Sequence, residues 1–65
     1  MQLSESLLAE ELDRLIHSAI LRIEQQGFHV AEVSASPTQT AVAQQVLNGM
    51  VVGLKQLRLR RALFA

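Results

Sequence analysis

The chain contains no cysteine, no tryptophan and no tyrosine, and it has one proline and three glycines in 65 residues. Each absence removes a class of protein. Without cysteine there is neither a disulfide framework nor a thiolate metal site, so a domain this short must draw stability from packing, from self-association or from a partner. Phe28 and Phe64 are the only aromatic residues, and no tyrosine or tryptophan supports base stacking. No apolar run approaches the roughly 20 residues that span a bilayer. The opening Met1-Gln2-Leu3-Ser4-Glu5 has neither the basic nor the apolar region of a signal peptide. These features set the expectation of a soluble, cytoplasmic chain forming one domain over 1–65.

The net charge is zero but divided. Before residue 35 six acids, Glu5, Glu10, Glu11, Asp13, Glu24 and Glu32, face two bases, Arg14 and Arg22, giving −4. Beyond it Lys55, Arg58, Arg60 and Arg61 stand without an acid, giving +4. Such a split marks either a basic segment for a polyanion or a charge balance settled within the molecule.

Apolar residues at 8, 12, 15, 16, 19, 20 and 23 follow the i, i+3, i+4, i+7 spacing of one helical face. A cap at Ser4 or Ser6, with Glu5, Glu10 and Glu11 near the positive end of the dipole, starts this helix. Gly27 offers a stop through the left-handed conformation. The first helix is therefore expected over about 4–26, roughly 34 Å at 1.5 Å per residue. Ser36-Pro37-Thr38-Gln39 marks the second start, with serine at the cap, proline at the first helical position and glutamine as the distal half of a capping box. That helix is expected over about 37–63. The segment between, about 27–36, reads as an ordered connector in which Phe28, Val30 and Val33 close one end of the helix pair, or as a short strand if another edge were supplied. The fold class is all-α, a two-helix antiparallel hairpin completed by oligomerisation or a partner. Folding back sets Arg58 to Arg61 beside Glu5 to Asp13.

"NGMVVG", Asn48 to Gly53, places two glycines inside the second helix, at a cost of roughly 0.8–1.0 kcal/mol each relative to alanine. Val42, Val46, Met50, Leu54, Leu57 and Phe64 project as one stripe, with Leu47 at one margin and Gly49 and Gly53 along the other. The apolar arc exceeds what one opposing helix covers, so the second helix is expected to have two neighbours. Two readings of the glycines stand side by side. They make room within the hairpin for a bulky residue of helix one such as Leu15 or Ile16, or they floor a docking surface made of Val46, Gly49, Met50, Gly53 and Leu57.

Chemistry finds little purchase. His17 and His29 lack metal-ligand spacing, and Glu10 and Glu11, being adjacent, diverge around a helix instead of converging as an acid/base pair. Gly49 and Gly53 lack the context of a phosphate-binding loop. Neither a catalytic site nor a cofactor or metal site is expected. The stretch "LKQLRLRR", Leu54 to Arg61, carries few bases, with Arg60 pointing away from Arg58 and Arg61, so nucleic acid is not the expected partner.

With Gly27 after the first helix, Pro37-Thr38-Gln39 opening the second, and a small-plus-aliphatic stretch from Val46 to Leu57, the chain resembles the small helical-hairpin co-chaperones of the type III secretion needle protein. The resemblance is one of topology over nearly the whole chain and rests on no diagnostic motif. It implies binding to a tetratricopeptide-like helical chaperone and to the secreted needle subunit, which is thereby kept soluble in the cytoplasm. The alternative is a self-associating hairpin, a dimer or four-helix bundle, serving as a regulatory or nucleic-acid-associated factor through Arg58, Arg60 and Arg61.

Overall fold

Two helices, α1 over Gln2–Glu32 and α2 over Pro37–Arg61, pack against each other along their length as an antiparallel hairpin. This computed structural model describes the backbone of residues 2–64 and the side chains of residues 7–64. The particle is a rod of 52 × 14 × 12 Å.

The helix boundaries differ from the sequence expectation on both sides of the turn. The first helix runs through Gly27 and ends at Glu32, because Gly27 does not take a positive φ and so terminates nothing. Phe28 and Val30 are therefore helical rather than part of a connector. Phe28 does not close the helix pair, since it is 71% exposed. The connector shrinks to residues 33–36, with neither loop nor strand over Phe28 to Glu32. At the other end α2 stops at Arg61, and Leu63 and Phe64 donate to the carbonyls of Arg60 and Arg61 in the tighter i→i+3 pattern common at helix ends. The helix also begins before Ser4, at Gln2. The side chains of Ser4, Glu5 and Ser6, on which the expected start depended, lie outside the described residues.

The start of α2 forms as its sequence predicts. Pro37 forces the preceding residue out of the helical region, and Ser36 accordingly sits at φ −111°, ψ 111°. In that conformation its Oγ accepts from the Gln39 N–H at 3.3 Å. Only half of a capping box results, because the Ser36 N–H donates instead to the Val33 carbonyl at 2.9 Å. The Thr40 hydroxyl, 2.8 Å from the Val33 carbonyl and 2.7 Å from that of Ser36, ties the turn to the first coil of α2.

The contact between the helices has a strict 3-4 rhythm. On α1 and the turn after it the residues turned from solvent include Ala9, Leu12, Ile16, Ala19, Ile23, Gln26, Val30 and Val33; on α2 and the residues flanking it they include Ser36, Thr40, Ala43, Leu47, Met50, Leu54, Leu57, Arg61 and Phe64. Alternating steps of three and four are the a/d seam of a two-stranded coiled coil. This rotates the expected stripe of α2. Leu47, expected at a margin, lies in the seam, whereas Val42 and Val46 are 58% and 45% exposed. Near the turn the seam is filled by small residues, so that Gln26 reaches across and its Nε2 donates to the Ala43 carbonyl at 2.9 Å. At the open end Arg61 Nε donates to Asp13 Oδ1 at 2.8 Å, which joins the basic half of the chain to the acidic half.

Candidate docking flank

Among the described residues one side chain, Ala43, is buried; the rest of the seam is only half covered. The whole chain exposes 5192 Å². A compact monomer of 7.2 kDa would expose about 4,100 Å². The difference, roughly 1,000 Å², reflects the elongated shape of a rod two helices thick.

Where the exposed apolar residues lie follows from the seam. Residues one step to one side of it are Leu8, Leu15, Arg22 and His29 on α1 and Gln39, Val46, Gly53 and Arg60 on α2, each seven positions from the next. Two shallow grooves run along this flank. The first, about 440 Å³, is lined by Leu15, Ser18, Ala19 and Arg22 from α1 and by Met50, Gly53, Leu54 and Leu57 from α2. The second, about 430 Å³ and nearer the turn, is lined by His29, Val33, Thr38, Gln39, Val42, Ala43 and Val46. They lie on the same flank, since His29 follows Arg22 by seven residues and Val46 precedes Gly53 by seven.

The opposite flank carries Asp13, Ile20 and Gly27 with Gln44, Val51 and Arg58, and it passes outward into His17, Glu24, Asn48 and Lys55. A further line of exposed apolar residues, Leu7, Leu21 and Phe28, follows the outer side of α1, broken by Arg14, which pairs with Glu11 at 2.9 Å.

The five residues expected to form a docking surface are thus distributed across one side of the hairpin. Met50 and Leu57 belong to the seam and form the floor of the first groove, Gly53 is on its wall, and Val46 is on the wall of the second. Gly49 is exposed, one position further from the seam. Sequence reasoning missed the α1 half of this flank, Leu15, Ser18 and Arg22. The spacing of Leu8, Leu15 and Arg22 at seven residues was the signal available for it.

The space around the glycines bears directly on their role. A Cβ placed on Gly49 or Gly53 would meet nothing within 4 Å. Neither glycine is therefore needed to admit Leu15 or Ile16 within the hairpin. The cost of two helix-interior glycines finds no return in the contacts between α1 and α2.

Charged groups do not converge on either groove. His29 Nδ1 lies 3.9 Å from Glu32, both of them exposed in the last turn of α1. His17 is exposed on the far side of α1. Among the described residues no group of three or more His, Asp or Glu side chains is placed to hold a metal ion. Arg58, Arg60 and Arg61 diverge, the last being held by Asp13 and by the Phe64 carbonyl at 3.3 Å. No described helix is long and apolar enough to cross a membrane. No known family, curated protein or solved structure matches this chain.

Proposed function

We propose that this chain is a non-enzymatic protein-binding module that docks helical surfaces along the flank holding Leu15, Val46 and Gly53, with Met50 and Leu57 beneath. The observation that carries this reading is the imbalance between seam and flank. Among the described residues the hairpin buries one side chain, yet it leaves Leu15, Val42 and Val46 exposed beside two shallow grooves on one flank. Apolar surface of this extent on so small a chain is costly to leave in water and is characteristic of an interaction site.

In its most specific form, which rests on the topological resemblance, the partner is a tetratricopeptide-like chaperone together with a secreted needle subunit, and the site of action is the cytoplasm. A polyanion-binding role receives less support, because Arg61 is engaged with Asp13 and leaves Arg58 and Arg60 on different sides of α2.

A photo-crosslinking amino acid at Val46, compared with one at Asn48 on the polar side, tests the reading in the native cell. Crosslinks to a helical protein from position 46 and not from 48 are the expected result. Equal yields from the two positions, or none from 46, would overturn it.

A further inference from the structure

We infer that the occupant of this flank is an acidic amphipathic helix, whose apolar ridge enters the groove between Leu15 and Gly53 and whose carboxylates pair with Arg22 and Arg60. The inference rests on the flank being a docking surface and names the chemistry of what docks there. Its support is the charge of the flank itself. The positions beside the seam on this side hold two arginines and no acid. Arg22 lines the groove of about 440 Å³, and both Arg22 and Arg60 are exposed. Among the described residues neither has an ion-pair partner, whereas Arg14 pairs with Glu11 and Arg61 with Asp13. The acids one position further out on α1, Glu11 and Glu32, lie beside Arg14 and His29. The flank therefore presents cations that the hairpin leaves unanswered.

Their placement suits a helix lying along the rod. Asp13 opposes Arg61 and precedes Arg22 by nine residues, so Arg60 and Arg22 stand about 13 Å apart along the axis. Between them the lining is apolar, with Leu15, Met50, Gly53 and Leu57, and nothing in the hairpin fills the space beside Gly53. A groove between two helices receives the apolar face of a third, read as residues spaced by three and four. Carboxylates about two turns apart on that same face, flanking the apolar pair, fall within reach of the two arginines. Arginine suits such a contact, because its planar fork holds a carboxylate through two hydrogen bonds and it is more weakly hydrated than lysine.

The same charges disfavour other occupants. A second copy applied by this flank brings two more arginines and no acid beside the seam, so like charge opposes it. An anionic bilayer meets two arginines here, short of the cluster of about four to eight bases that marks a lipid-binding surface.

Selection of displayed helical peptides on the full chain, with the residues of one face varied among leucine, alanine, glutamine, glutamate and lysine, tests the inference. The expected winners carry glutamates about two turns apart around leucines spaced by three or four. Their affinity should fall about tenfold on the Arg22→Glu/Arg60→Glu chain and return when the peptide glutamates are exchanged for lysine. Arg58→Glu, on the opposite flank, should leave it unchanged. Peptides lost with Leu15→Asp but indifferent to the sign of charge at 22 and 60 overturn the acidic partner and leave the docking flank standing. Peptides indifferent to Leu15→Asp, or no enrichment at all, remove both. A dimer in equilibrium sedimentation that Leu15→Asp dissociates gives the flank to a second copy and overturns the inference. Cosedimentation with phosphatidylglycerol vesicles, abolished by Arg22→Glu/Arg60→Glu, gives it to a membrane surface and overturns it equally.

Discussion

Gln26 Nε2 donates to the Ala43 carbonyl at 2.9 Å, a bond between the helices made beside the buried side chain of Ala43. It fixes register, because a shift of α2 by one turn would move the acceptor about 5.4 Å along the axis. Gln26→Ala loses that bond and side-chain contact in the seam, and is expected to cost about 1–2 kcal/mol. Urea unfolding at fixed protein concentration checks it. An unchanged midpoint would show that the bond fixes nothing.

Asp13 and Arg61 should be coupled weakly and in a salt-dependent way. Their side chains are 58% and 33% exposed. Exposed ion pairs of this kind contribute about 0.2–1 kcal/mol. A double-mutant cycle with Asp13→Asn and Arg61→Gln should return a coupling in that range at low salt and close to none at 1 M, where the Debye length falls to about 3 Å. A coupling insensitive to salt would contradict the assignment.

Ser36→Ala removes the cap of α2 and is expected to destabilise the hairpin by about 1 kcal/mol. Ser36→Asp, which retains an acceptor and adds negative charge at the helix N-terminus, should recover most of the loss. Thermal unfolding followed by circular dichroism distinguishes these outcomes, and equal melting of the two variants would remove the cap from the account.

Gly27→Ala should stabilise. Position 27 lies inside α1, at ordinary helical φ and on the flank opposite the grooves, and a Cβ there meets nothing within 4 Å. The gain is about 0.8–1.0 kcal/mol from helix propensity, seen as a raised melting temperature. A lowered one would mean that the backbone at 27 bends or contacts something that alanine obstructs.

The hairpin itself was legible, and the misreadings of its detail share two physical causes. Glycine after an apolar repeat reads as punctuation, yet only a left-handed φ makes it a stop, and nothing in the sequence around Gly27 reveals φ. With Gln26 polar at a seam position, the 3-4 rhythm of Ile23, Gln26, Val30 and Val33 was hidden although it continued unbroken. In α2 hydrophobicity favoured Val42 and Val46 over Thr40 and Ala43, whereas close approach near a short turn favours the smaller pair inside. That exchange rotated the expected stripe and hid the α1 half of the flank. The cap at Ser36 and the meeting of opposite charges at Asp13 and Arg61 depend on local chemistry alone, and both follow from the residues.

The turn of four residues, 33–36, has a consequence for how so thin a seam can hold. Pro37 has no N–H to donate and its ring would collide with the carbonyl of Val33, so α1 cannot grow into α2 as one continuous rod. The bend is set by covalent geometry before any side chain packs. A tether this short holds α2 near α1 at an effective concentration on the order of millimolar or above. Closure of the hairpin thus resembles an intramolecular binding reaction, and modest contacts suffice for it.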